Sequence, residues 1–171
     1  MASFYWYESD KVRLAGEISA MQKFHPDFKL GKLADGRLYW QGKLQPFGKG
    51  GTVWEIRLVY SNSYPLIPAD DPGWGGAIDT YLVGPMTLEQ INQRIGSIPH
   101  VYQKNNKLYI CTVNGKVNEY VRGVRGYVRT GDTNATTACM TLAWATKWLS
   151  LFEMFINGEI TYDEMAGDGN F

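Results

Sequence analysis

The residues in this 171-residue chain best suited to making and breaking a covalent bond are Cys111 and His100. His100 stands in Pro99-His100-Val101-Tyr102, and Cys111 closes the short apolar run Leu108-Tyr109-Ile110-Cys111-Thr112. The polar stretch Gln103 to Lys107 between them reads as a turn. A thiol suits brief acyl carriage, because it attacks as thiolate and the resulting thioester stays activated. An ordinary cysteine has a pKa of about 8.5, so some thiolate exists at neutral pH without a dedicated base. The same residue among Leu108, Tyr109 and Ile110 also reads as a small buried hydrophobe, and the residues alone leave both readings open. Cys139 lies on an apolar helical pattern and reads as structural. His25 precedes Pro26, which disfavours helical geometry at the residue before it, so His25 reads as a boundary residue.

Other chemistries lack their residues. Gly48-Lys49-Gly50-Gly51 has neither the Lys-Ser/Thr pair nor the strand-to-helix setting of a phosphate loop. Two histidines and two cysteines match no zinc spacing. A glycine-flanked serine elbow is missing, and no carboxylate pair stands out. Nothing in the sequence calls for a cofactor or a metal. Lysine plus arginine balance aspartate plus glutamate at 17 each, which argues against a nucleic-acid surface carried by net charge. Arg122, Arg125 and Arg129 lie among glycines and read as a solvated loop. The N-terminal residues carry no secretory pattern, and no apolar run is long enough to cross a bilayer. The expectation is a cytoplasmic protein with reduced thiols, no membrane segment and no nucleic-acid partner. Its 6 tryptophans and 11 tyrosines fill a core well and also suit a groove that accepts a protein partner.

The elements that would position Cys111 follow from periodicity. Residues 1–9, with Phe4-Tyr5-Trp6-Tyr7, read as a lead-in. Asp10 is a natural N-cap for a helix ending near Phe24, with Leu14, Ile18, Met21 and Phe28 on one stripe. Strands are expected over Gly36–Gly42 and Thr52–Tyr60. In the second, Trp54, Ile56, Leu58 and Tyr60 face the core. The Pro46–Gly51 link makes the pair an antiparallel hairpin. Two prolines keep Ser63–Pro68 from being a central strand, and it reads as an extended crossing. Ile78–Val83 is a third strand, Met86–Ile95 a short helix with Thr87 near its cap, and Leu108–Val113 a fourth strand. Glycine and arginine break the periodicity from Asn114 to Asn134. Thr136–Asn157 is a long helix with Met140, Trp144, Trp148, Leu151 and Phe155 on one stripe. Leu142, Ala145, Leu149, Phe152 and Ile156 form an adjacent stripe, and Gly158 is a natural C′ residue. The tail from Thr161 is acidic and glycine-containing and reads as flexible. The expectation is one α+β domain over residues 1–171: an N-terminal helix, a four-stranded antiparallel meander, the segment bearing His100 and Cys111, and a long C-terminal helix.

Four pieces of the chain together resemble the bacterial ubiquitin-conjugating-enzyme-like proteins. These are Phe24-His25-Pro26-Asp27-Phe28 with Asp35–Leu44; Ile56–Tyr60 with Tyr64-Pro65 and Pro68; Pro99-His100-Val101-Tyr102 with Leu108–Cys111; and Thr141–Ala145 with Trp148-Leu149, Phe152-Glu153 and Gly158. They occur in the family's order from about Lys11 to Ile160. The resemblance implies a ubiquitin-conjugating (UBC-like) fold in which Cys111 accepts the C-terminal carboxylate of a modifier protein as a thioester. An amine, typically a lysine of a target protein, then attacks it, and an activating enzyme can supply the charged modifier. His100 matches the motif histidine, which implies a loop-organising role. Such proteins are similar to components of CBASS-type anti-phage operons, where a cGAS-like nucleotidyltransferase can itself be the modifier.

This sequence departs from the family in several places. Ten residues separate His100 from Cys111, and Tyr102 stands where the eukaryotic pattern has asparagine. No tryptophan follows the cysteine closely, and Val121–Gly131 has no counterpart. Asn105, Asn106 and Asn114 are the nearby amides that could stabilise an oxyanion. A non-catalytic binding or scaffold protein of the same fold is the alternative reading. A cysteine hydrolase, which would want His100 beside the sulfur, is the third.

Overall fold

The computed structural model of the chain describes residues 5–67, 71, 74–112, 128–129 and 137–167. Its helices are α1 (Trp6–Ser9), α2 (Lys11–Phe24), α3 (Leu88–Ile95), α4 (Ala138–Ile156) and α5 (Tyr162–Gly167). Its strands are β1 (Lys29–Lys32), β2 (Leu38–Leu44), β3 (Trp54–Tyr60), β4 (Leu66–Ile67), β5 (Ile78–Gly84), β6 (Val101–Lys104), β7 (Lys107–Ile110) and β8 (Val128–Arg129). Six of them form one antiparallel sheet in the order β1-β2-β3-β5-β7-β6, and β4 pairs with β8 apart from it. Among the described residues no helix is long and apolar enough to cross a membrane.

The α+β class is as the sequence indicates, but the sheet has six strands rather than four and is not a simple meander, since β5 pairs with β7 and leaves β6 at the edge. The two extra strands are the sheet's edges. β1 reads Lys-Leu-Gly-Lys and has no apolar alternation to betray it. β6 lies in the segment read as motif and turn. Both are strands because a neighbour offers a ladder to complete, Leu30 opposite Trp40 and Tyr102 opposite Tyr109.

Within the sheet the β2–β3 hairpin forms as its alternation dictates, with Trp40 opposite Leu58 and Gly42 opposite Ile56. Trp54, Ile56, Leu58 and Tyr60 are all buried. Leu142, Ala145, Trp148, Leu149 and Phe152 of α4 complete that core, with Trp148 and Phe152 stacked at 4.9 Å between centroids. Each leucine and phenylalanine among them contributes about 1.5–3 kcal/mol by leaving water. The outer ends of the two stripes, Met140 and Ile156, are exposed. Phe28 is not on the α2 stripe: α2 ends at Phe24, and the Phe28 ring lies against Gly42, where a Cβ would meet it at 2.7 Å.

The two ends of the chain differ from their reading as lead-in and tail. α1 inserts Trp6 against Tyr60 and Tyr64, at centroid distances of 5.0 and 4.7 Å. α5 buries Met165 completely and starts at a reciprocal cap between Thr161 and Glu164. Val113 and most of Asn114–Asn134 lie outside the described residues.

One polar group on α2 ties three elements together. Asp10 caps the helix as expected, accepting from the Arg13 backbone N–H at 3.0 Å. Two turns on, Glu17 is only 7 % exposed. Its Oε2 accepts from the Tyr60 hydroxyl at 2.6 Å and from the Ala138 backbone N–H at 2.9 Å. The Tyr60 hydroxyl in turn accepts from Trp40 Nε1 at 2.8 Å. A carboxylate at the first residue of α4 satisfies a backbone donor that the helix itself cannot, and it complements the helix dipole. Burial, followed by the Glu17 charge, pushes the Tyr60 phenol well above its ordinary pKa. Glu17→Ala would strand a buried hydroxyl and a buried N–H. It is expected to cost about 2–4 kcal/mol by urea unfolding at neutral pH; a loss within experimental error would show that the network carries no net stability.

Candidate functional site

The segment between His100 and Cys111 is a β-hairpin. β6 and β7 pair from Val101 opposite Ile110 to Lys104 opposite Lys107, leaving Asn105 and Asn106 as a two-residue turn. Both have left-handed φ, 52° and 62°, as a type I′ turn requires and asparagine tolerates. The ten intervening residues therefore bring the two candidates together. The Cys111 N–H donates to the His100 carbonyl at 2.8 Å, one step beyond the last strand pair. The turn asparagines sit at the opposite end of the hairpin, roughly 16 Å of strand from Cys111. That removes Asn105 and Asn106 as groups that could meet an oxyanion there; Asn114 lies outside the described residues.

Cys111 is held from both sides. Besides its own bond to His100, the next residue's N–H (Thr112) donates to the Trp74 carbonyl at 2.9 Å. The side chain is 8 % exposed and packs with Tyr102 and Tyr109. It borders a cavity of about 210 Å³ lined by Trp74, His100, Val101, Tyr102 and Cys111. Among the described residues no side-chain amide lines this cavity. Trp74 is 40 % exposed and forms the outer lip.

His100 has a left-handed φ of 56°, so the chain turns sharply as it enters β6. Its Nε2 lies 3.1 Å from the carbonyl of Met165 on α5. A carbonyl only accepts, so Nε2 carries the proton in this contact. The preceding carbonyl, that of Pro99, accepts from Trp148 Nε1 at 3.0 Å. Pro99 and His100 thus tie the entry of β6 to α4 and α5 respectively.

Beneath the cavity lies a cluster that the sequence reading did not single out. The Tyr102 hydroxyl donates to Asp79 Oδ1 at 2.7 Å, and Lys104 Nζ donates both to Asp79 Oδ2 and to Asp71 Oδ2, the latter at 2.7 Å. Gly75 lies so close that a Cβ would fall 2.3 Å from the Tyr102 hydroxyl. Burial pushes Asp79 above its ordinary pKa despite Lys104 and Tyr102, which pull the other way. Burial also raises Tyr102, reinforced by the Asp79 charge. For Lys104, burial favours the neutral amine, but Asp79 and Asp71 outweigh it and hold the ammonium. The signal available in sequence was a carboxylate inside the otherwise apolar strand Ile78–Gly84. Trp74, in a glycine-rich loop, had none.

The remaining candidates are elsewhere. Cys139 sits on α4 with its Sγ 3.7 Å from Met21 Sδ, and burial, then Glu17, raises its pKa. His25 is the C-cap of α2, and burial lowers its pKa. Arg129 lies in β8, while Arg122 and Arg125 are outside the described residues. Among the described residues no group of three or more His, Cys, Asp or Glu side chains is arranged to hold a metal ion. Beyond the cysteine the sheet's outer face carries cations laid on rings: Arg57 over Tyr39 at 4.3 Å and Lys107 over Tyr81 at 3.4 Å.

Comparison with protein-family models, with curated proteins and with solved structures finds no match. What the site can do therefore rests on its own geometry and on the resemblance in the sequence.

The buried cluster makes a prediction about pH. With Lys104→Met, Asp71 and Asp79 remain buried without their cation, which raises the pKa of Asp79 further above its ordinary 3.8. A carboxyl whose folded-state pKa is raised binds protons more tightly when folded, so stability falls as pH rises through that range. The variant is expected to lose about 2–4 kcal/mol near pH 8 and clearly less near pH 4.5, relative to wild type at each pH. Urea titrations at both values check this; a larger loss at the acidic end would refute it.

Proposed function

We propose that the chain is a ubiquitin-conjugating-like acyl carrier with Cys111 as its nucleophile. The observation that carries the reading is the cysteine beside its own cavity, in a backbone frame fixed by the bonds to His100 and Trp74. A thiol held only for packing needs no adjoining space; one that must receive a carbonyl does. In this reading the Cys111 thiolate attacks the activated C-terminal carbonyl of a modifier protein. A C–S bond forms, the previous carrier or leaving group departs, and the thiol's proton passes to solvent or to that group. An amine of the target protein then displaces the sulfur, giving an amide and restoring the thiol. His100 serves as a positioning residue, its ring directed to the Met165 carbonyl.

The fold proposed is UBC-like, supported by the helix, antiparallel sheet, cysteine-bearing segment and long helix in that chain order. The modifier class (ubiquitin-like, or a cGAS-like nucleotidyltransferase with its C-terminal end), an activating enzyme, the cytoplasmic setting and a place in anti-phage defence come from the resemblance. One observation favours the alternative of a non-catalytic scaffold: Cys111 is 8 % exposed and packed between tyrosines.

The test is chemical. Wild-type protein incubated with a candidate modifier protein, an activating enzyme and ATP is expected to give a reductant-sensitive adduct on a non-reducing gel. Cys111→Ala should abolish it, while Cys139→Ala should leave it. An adduct that survives Cys111→Ala, or an unchanged biological activity in that variant, rules out the thioester mechanism and leaves the scaffold reading.

A further inference from the structure

The two edges of the six-stranded sheet are not equivalent, and the difference lies next to the cysteine. In an antiparallel pair, residues alternate between pairs that exchange N–H···O bonds and pairs whose backbone groups point away from the partner strand. The Cys111 N–H to His100 carbonyl bond fixes that phase. His100/Cys111, Tyr102/Tyr109 and Lys104/Lys107 are bonded pairs; Val101/Ile110 and Gln103/Leu108 are not. The N–H and C=O of Val101 and Gln103 therefore face outward, away from β7. On the far side of the hairpin the corresponding outward groups are used. Ile110 meets Thr80 of β5, and the Leu108 N–H, beyond the reach of β5, is taken by Glu89 Oε1 at 2.9 Å. Along β6, among the described residues, no strand or side chain takes that place.

Edge strands normally carry a deterrent to pairing, most often an outward lysine. β1 has Lys29 and Lys32, both exposed. β6 has Lys104, but that ammonium is drawn inward to Asp79 and Asp71. The Asp79–Tyr102 bond and the Tyr102–Tyr109 stack hold the strand flat against β7. β6 is thus cross-tied to β5 and β7 and lacks the usual electrostatic guard. Its N-terminal end, His100 and Val101, is also a wall of the cavity at Cys111.

We infer that β6 is the docking rail for the acyl donor: the modifier's C-terminal tail adds to the sheet as an extended strand along Val101–Lys104, its backbone pairing with Val101 and Gln103. This mode gives affinity through the main chain and tolerates varied side chains. It delivers the chain terminus to the cavity end of β6, with His100 marking where pairing stops. The inference rests on the reading of Cys111 as nucleophile and adds how its substrate is held.

Proline at position 103 removes the outward N–H and leaves the β7 ladder intact, because Gln103 does not donate to β7. The probe is a synthetic peptide of about eight residues, ending in glycine as a mercaptoethanesulfonate thioester, with an analogue N-methylated at alternate amides. Transfer forms the Cys111 S–acyl bond, breaks the probe's C–S bond and releases the mercaptoethanesulfonate, which takes the thiol's proton. Mass spectrometry of the full chain follows the adduct. Gln103→Pro, and the N-methylated probe on wild type, are each expected to slow transfer about tenfold, while Gln103→Ala stays within about twofold of wild type. Alkylation of Cys111 by iodoacetamide is expected at the same rate in all three proteins, which reports an intact site. Equal transfer rates for Gln103→Pro and Gln103→Ala overturn the rail and leave the nucleophile standing. The absence of any wild-type adduct removes both. A wild-type dimer on size exclusion that Gln103→Pro dissociates would assign the edge to a second copy of the chain instead.

Discussion

A buried carboxylate sets the frame of this protein. Glu17 projects from α2 into the region between sheet and C-terminal helix, where it accepts from Tyr60 of β3 and from the first backbone N–H of α4. A carboxyl group in an apolar interior is costly unless it is hydrogen-bonded, and here its Oε2 accepts from groups on two other elements. The same interaction therefore fixes where α2 lies on the sheet and where α4 begins. Since α4 supplies Trp148, whose indole N–H holds the Pro99 carbonyl, the placement is passed on to the entry of the hairpin that bears the candidate site.

At the site a second polar cluster performs a comparable task. Tyr102, Lys104, Asp79 and Asp71 share hydrogen bonds beneath the cavity, drawing a loop residue, a central strand and an edge strand onto one another. Burial and ion pairing oppose each other in this cluster: desolvation raises Asp79, while the two carboxylates keep Lys104 charged. The cluster also shapes the hairpin's surroundings. It takes the lysine that would otherwise guard the β6 edge, and it sets the Tyr102 ring as one wall of the space beside Cys111.

The two candidate residues come together for a reason that long turns do not share. An irregular turn of that length would leave their separation to chance. A hairpin fixes it, because the ladder places His100 opposite Cys111 through a backbone bond. The imidazole is directed to the Met165 carbonyl on α5, a helix at the end of the chain. The arrangement suits a histidine that positions the backbone around Cys111.

The sequence by itself determined the elements whose signals are local. The Asp10 cap and the end of α2 before Pro26, the core face of β3 from Trp54 to Tyr60, the capped α3, and the α4 stripe from Leu142 to Phe152 each follow from caps, prolines and periodicity within a few residues. It also singled out Cys111 and His100 by residue type. Only the tertiary structure decided the rest, because the deciding partners are distant in sequence. β1 and β6 are strands through their neighbours' ladders, and Glu17 is interior through Tyr60 and Ala138. α5 is anchored by a methionine buried in the core where composition suggested a flexible tail. The stretch from Gln103 to Lys107 looks like a loop because its residues are polar. Its centre, Asn105 and Asn106, is the turn, but its ends belong to β6 and β7, where Tyr102 and Lys104 are held by Asp79, more than twenty residues away, an interaction no local pattern encodes.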